Sequence, residues 1–228
     1  MPSASPSPAF NPLGALYRDV ARAWHEGGRR SAWTELREWV VFPIVRHGRL
    51  LLIEQLLASV PDIPHVPGVR IAPFTGPDWS VLAPIANERT RRRFQRAAAR
   101  GRICLIAWRD DRPVGCTWLS PRTDWDLEQF MLDLPPHTTY GWNTFVSPAE
   151  RGAGIGSALM HARLTHSRAL GHRASWGLVD PENEVSLRTI RKISSADTRV
   201  LGELRYLKVL SWFHARRAPL NSGASPRA

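Results

Sequence analysis

The sequence predicts a mixed α/β (α+β) domain behind a helical N-terminal extension. Three observations predict it. From about residue 68 to 213 the patterns run strand, helix, helix, three strands, helix, strand, helix, strand. Residues 102–119 hold two apolar runs joined by Asp110-Asp111, a hairpin pattern. Residues 139–161, TYGWNTFVSPAERGAGIGSALMH, join an aromatic, β-branched strand to a helix through a glycine-rich turn.

Composition sets the bounds. The 228 residues suit one domain with additions, or two small ones. A hydrophobic content of 43% supplies a core. The formal net charge of +11 and a pI near 11.1 suggest an acidic ligand, a nucleic acid or an anionic surface, without choosing among them. Cys104 and Cys116 lie in apolar runs and read as buried thiols in a reducing, cytoplasmic setting, so neither a disulfide framework nor a metal cluster is expected. No apolar run reaches the roughly 18 residues of a membrane helix. MPSASPSPAFNP lacks the basic and apolar regions of a secretory signal.

Residues 1–12 and 218–228 are rich in Pro, Ser and Ala and are expected to be disordered. Residues 13–60 read as a mainly helical extension. Leu16, Val20 and Trp24 have helical spacing, Gly27-Gly28 breaks the run, and Ser31 can cap a second helix. Arg49–Leu57 fits a helix or a strand. Arginines beside tryptophans in this extension also fit peripheral membrane contact. Residues 61–68, PDIPHVPG, read as a linker into a domain at 69–217.

That domain opens with a strand at Val69–Phe74 and a short helix at Trp79–Ala86. Glu88–Arg100 is a second helix, with Arg89, Arg93, Arg96 and Arg100 on one face. Such a face is solvated or meets an anion. The hairpin Arg102–Trp108 and Pro113–Leu119 follows, then an acidic loop over Asp124–Pro136. After the 139–161 unit come a strand at His172–Val179, a helix at Glu182–Ile193 begun by Pro181, and one or two closing strands over Val200–Phe213.

The turn carries the chemistry. Glycines between a strand and a helix let a ligand approach the backbone. The first helical amides lack internal partners and sit at the positive end of the helix dipole. Together they suit a phosphate. A P-loop would need Lys and Ser or Thr after the last glycine, and neither stands there. The dinucleotide fingerprint fails in both frames, at Ser157 and at Leu159. What fits is R-x-x-G-x-G: Arg151, Gly152, Ala153, Gly154, Ile155, Gly156.

This loop, the D-D-R-P-V-G hairpin turn, and Asn183-x-x-Ser186 after the next strand together resemble the GCN5-related N-acetyltransferase (GNAT) superfamily over roughly two thirds of the chain. The resemblance implies a mixed, mostly antiparallel sheet flanked by helices, with acetyl-CoA as cosubstrate, an amine as acceptor and no metal. It implies that the backbone of Phe145 and Val146 pairs with pantetheine. It implies that Arg151 to Gly156, with Ser157, hold the pyrophosphate, and that Asn183, with Ser186, meets the pantetheine arm. The arginine-rich helix would wall the acceptor side, which suits an anionic acceptor. Two departures stand out. The position that often holds a Tyr acid is Ile190, followed by Lys192-Ile-Ser-Ser, and the position of a frequent Glu base is about Tyr140. Candidates for acid–base work are Tyr140, His137, Glu128 and Asp126. The alternative is a catalytically silent CoA-binding module whose basic surface meets a partner or nucleic acid. No helix-turn-helix or zinc pattern supports nucleic acid.

Overall fold

The protein is described from a computed structural model. It describes residues 17, 20–21, 23–25, 28–33 and 36, and then 45–218 except 59, 62–64, 124, 194–197 and 210–211. The chain forms two compact units, Met1–Arg46 and His47–Ala228. In the first, the described residues between 17 and 36 are helical, Val45 and Arg46 begin a strand, and Gly28 has φ 67°, at the break expected from Gly27-Gly28. Of the segments expected to be disordered, 1–12 and 218–228, all but Ala218 lie outside the described residues, and Ala218 ends the last strand. No helix among the described residues is long and apolar enough to cross a membrane.

The second unit is one eight-stranded sheet. Its strands are β1 Val45–Leu56, β2 Arg70–Pro73, β3 Ile103–Arg109, β4 Arg112–Ser120, β5 Thr138–Val146, β6 Ala174–Val179, β7 Thr198–Val209 and β8 Trp212–Ala218. They lie in the order β2-β3-β4-β5-β6-β1-β7-β8. β5 and β6 are parallel, and the other described pairings are antiparallel. The helices are α1 Glu88–Ala99, α2 Trp125–Glu128, α3 Ile155–Ala169 and α4 Glu184–Ile193.

One expectation is corrected here. Residues 47–60 do not belong to a helical extension, because β1 lies inside the sheet between β6 and β7. Its sequence was ambiguous for a physical reason. Leu50 and Leu52 pack on one face of the sheet and Leu51 and Ile53 on the other. A strand covered on both faces reads as an unbroken apolar run, without the alternation that marks a half-buried strand. Two smaller differences follow from local chemistry. The helix expected at Trp79–Ala86 is a single 3-10 turn, Trp79–Leu82, capped by the Asp78 carboxylate, which accepts from the Ser80 amide at 2.8 Å. The expected acidic loop contains the short α2.

The larger core lies between the sheet and α1. Trp118 is fully buried, stacks on Trp142 at 5.1 Å and on Trp79 at 6.1 Å, and meets Phe94 at 5.0 Å. α1 starts where Asn87 Oδ1 accepts from the Thr90 amide at 2.9 Å. On the opposite face α3 and α4 cover the sheet with Leu159, Met160, Leu164, Ile190 and Ile193. The hairpin turns at Asp110 (φ 47°) and Asp111 (φ 58°), the left-handed pair that a two-residue turn requires.

At the start of the β5–β6 pair, the His137 carbonyl accepts from the Arg173 and Ala174 amides at 2.7 and 3.3 Å. Burial first, and His137 second, hold His172 below the ordinary histidine pKa. Below about pH 6.5 the unfolded chain therefore binds more protons than the folded one, and stability falls on acidification. His137→Ala should move the His172 midpoint up in an NMR titration, and an unchanged midpoint would show that the two rings do not interact. Trp118→Ala should cost about 3–5 kcal/mol in denaturant unfolding. A loss under about 1 kcal/mol would mean that the stack does not organise the core.

Candidate functional site

β5 changes partners along its length. It pairs with β6 only over Thr138–Gly141, opposite Ala174–Gly177. Beyond Gly177, Leu178 and Val179 pair with Leu52 and Leu51 of β1. β5 runs on to Val146 along β4 alone. On that side Trp142 faces Trp118, but Phe145 faces Cys116, so β5 carries one residue more than β4 in between. The extra residue is at Asn143, whose φ is 51°. A bulge of this kind bends the strand that carries it. Burial changes at the same point: Thr138–Trp142 are buried, while Asn143 and Thr144 are exposed.

The open edge can be read residue by residue. The Ser147 amide donates to the Val114 carbonyl at 2.8 Å. Backbone groups in an antiparallel ladder alternate sides. Phe145 therefore turns its groups to Cys116, and Val146 turns its own outward. The Val146 carbonyl already accepts from Arg151 Nε at 3.3 Å. Of the two residues expected to offer backbone to a ligand, only Val146 faces the gap, with its amide.

The glycine turn stands directly after this edge. A 3-10 turn, Pro148–Glu150, leads to Arg151, and α3 begins after Gly154. Gly152 (φ 86°) and Gly154 (φ 81°) adopt the left-handed conformation that glycine tolerates best. Gly156 needs another explanation. A Cβ there would come no closer than 3.8 Å to Val146 Cγ2, so packing does not demand glycine. The missing side chain leaves room over the first helical turn, beside the amides of Ile155, Gly156 and Ser157 and past Ala153. That turn holds no carboxylate, although the first turns of α1 and α4 carry Glu88 and Glu184. Glu150, the nearest acid in sequence, is paired with Arg109 at 3.3 Å. A free helix N-terminus with space and no acid suits a phosphate, and the residues fit the diphosphate of CoA.

Across the gap, Asn183 caps α4, its Oδ1 accepting from the Ser186 amide at 3.0 Å. Ile190 is buried with Met160, Leu164 and Ile53. The position where the resemblance often has a tyrosine is thus a core position between α3, α4 and β1, and no acid stands there.

The acid–base candidates are scattered. Tyr140 is buried on the α1 face, paired with Ser120 and Trp176, one residue before the last β5–β6 rung. His137 lies at the other end of β5, where β6 begins, away from the gap. Glu128 is exposed at the end of α2. The Asp126 side chain lies outside the described residues. Of the arginine face, Arg93 lies over the Trp142 ring at 5.4 Å, and Arg102, past the helix end, lies over it at 4.8 Å. Arg91 instead donates to the Ala86 carbonyl and Arg92 pairs with Glu88.

Two features went unread in the sequence. Glu54 of β1 accepts from Trp176 Nε1 at 3.0 Å and pairs with Arg199 at 2.8 Å. Arg163 of α3 is only 5% exposed. It had a legible signal, since Leu159, Met160, Arg163, Leu164 and Ser167 fall on one helical stripe and a charge stands inside it.

The profile described as the acetyltransferase (GNAT) family matches residues 70–194. Among solved structures, a GCN5-related glucosamine N-acetyltransferase region of a fungal multi-domain protein aligns at 13% identity and TM-score 0.54. That alignment covers 77% of this chain and 22% of the other. A Drosophila protein aligns at 14% identity and TM-score 0.52, covering 82% of this chain and 68% of its own. A GCN5-related N-acetyltransferase from Sphaerobacter thermophilus aligns at 16% identity and TM-score 0.50, covering 81% and 56%. At these identities the likeness speaks for the fold. No curated protein sequence matches. The family profile spans more than half of the chain, including the β5 edge and the glycine turn that follows it: this chain belongs to the acetyltransferase (GNAT) family.

Proposed function

We propose that this protein is an acyl-CoA-dependent N-acyltransferase, moving acetyl from acetyl-CoA to the amine of a small or metabolite acceptor within a ternary complex. One observation carries the reading: the unpaired edge of β5 runs straight into a glycine turn that opens a helix with no acid in its first turn. Pantetheine would lie along the edge and meet the Val146 amide. Arg151 and the amides from Gly152 to Ser157 would hold the diphosphate. Asn183, with Ser186, would meet the arm from the α4 side.

The acceptor amine attacks the thioester carbon, the C–S bond breaks, and the sulfur leaves with its electron pair. Holding amine and thioester together supplies much of the rate. Of the four expected acid–base side chains, Tyr140 stands nearest the gap among those described, and we assign it the proton from the amine, taken directly or through one water as its own hydroxyl proton passes to the leaving thiolate. Arg93 and Arg102, over the Trp142 ring, favour an acceptor that also carries an anionic group. A cytoplasmic setting suits two buried free cysteines. In the N-terminal unit Tyr17, Trp24 and Trp33 are 76%, 56% and 64% exposed, which would serve peripheral membrane contact.

A second reading, a silent CoA-binding module, is favoured by Ile190, which fills the usual acid position with a core residue. Calorimetric titration with acetyl-CoA, CoA and ATP, followed by an amine panel with and without carboxylates, separates the two. Binding with turnover supports the enzyme, and binding without turnover supports the module. Gly156→Val should lower CoA affinity at least tenfold with little change in Tm, because the added methyls fill space that packing leaves open. Unchanged affinity would remove the glycine turn from the site.

A further inference from the structure

Arg163 has no carboxylate within ion-pair distance among the described residues. Burial pulls its guanidinium pKa down to about 10, against an opposing effect of Tyr140, so it keeps its charge at neutral pH. A buried charge without a counter-ion is costly unless it serves something. Its position is built into the fold. The guanidinium lies against Gly141, the last β5 residue paired with β6, and any Cβ at Gly141 would overlap it. From there Nη1 reaches Thr117 Oγ1 at 3.4 Å and Thr144 Oγ1 at 3.5 Å, and the two hydroxyls are 2.8 Å apart.

Counting protons gives this cluster a direction. An arginine only donates, so both hydroxyl oxygens accept from it. Thr117 is fully buried, and the acceptor within reach of its proton is Thr144. Either hydroxyl can donate across this contact, and the arrangement that leaves no buried proton without an acceptor has Thr117 donating to Thr144. The Thr144 proton is left over, on an exposed residue beside the bulge, on the stretch of β5 that β6 has left.

Resting on the acyltransferase reading above, we propose that the Thr144 hydroxyl donates to the thioester carbonyl oxygen of the acyl-CoA, with Arg163 and Thr117 as the positioning residues that orient it. When the amine lone pair adds to the carbonyl carbon, the C=O π pair moves to oxygen. The Thr144 hydroxyl and the buried charge behind it stabilise that oxygen. The pair returns as the C–S bond breaks. The thiolate leaves with its electrons, and the amine proton passes to the base or to water. Chemistry of this kind gains most from donors fixed in place before the charge develops.

The test uses the full chain and acetyl-CoA labelled with ¹³C at the carbonyl. Infrared difference spectra of bound and free ligand report the hydrogen bond without turnover. In the unaltered protein the carbonyl band should move to lower frequency on binding. Thr144→Val, close in shape, should abolish that shift and lower kcat about a hundredfold. Its affinity for CoA, which has no carbonyl at sulfur, should not change. Thr144→Ser should restore the shift, and Thr117→Val should reduce it without touching the ligand. A shift and kcat unchanged in Thr144→Val would overturn the relay while leaving the CoA site intact. Failure of the unaltered protein to bind acetyl-CoA would overturn the relay and the acyltransferase reading together. If the protein binds but acetylates no amine, the carbonyl band still decides.

Discussion

Between Trp142 and Phe145, β5 has one residue too many for β4. That mismatch, at Asn143, is the constraint on which the site depends. A strand cannot keep two straight neighbours while it bends, and β5 keeps β4 and leaves β6 after Gly141. β6 keeps β1 on its other edge along its whole length, so its last two residues, Leu178 and Val179, stay in the sheet without β5. The backbone groups that β5 thereby exposes would be costly in a buried strand. At the mouth of a cleft they are a template for an extended ligand.

Charge follows the same geometry. Around the gap the nearby acids are occupied. Glu150 is held by Arg109, and Glu54 by Arg199 and the Trp176 indole. Asn183 spends its Oδ1 on capping α4. A cleft furnished with helix amides, arginines and engaged carboxylates has an electrostatic preference for anions before any ligand-specific contact forms.

The parts of this arrangement that depend on neighbouring residues in sequence were legible. The glycine turn and the hairpin both follow from short-range chemistry. The parts that depend on pairing were not. Nothing in Asn143 itself announces a bulge, because a bulge is a relation between two strands. β1 was ambiguous because both of its faces are covered. His137 was a reasonable acid–base candidate on residue type, but its distance from the gap depends on where β6 begins. Arg163 could have been found, since a charge inside an apolar helical stripe is a local signal. Gly141 inside a strand was its counterpart: the bare backbone makes room for the guanidinium.

The place of β1 in the sheet also bears on how the chain is made. β1 leaves the ribosome early, yet Leu51 must wait for Val179 and Leu56 for Ala174. Until then the stretch Leu50–Leu57 is a sticky apolar ribbon with both faces and both edges open. The centre of the sheet therefore closes late in synthesis, through contacts distant in sequence, which slow folding and lengthen exposure to aggregation. A chaperone that shields this early strand would act at the step on which the whole sheet waits.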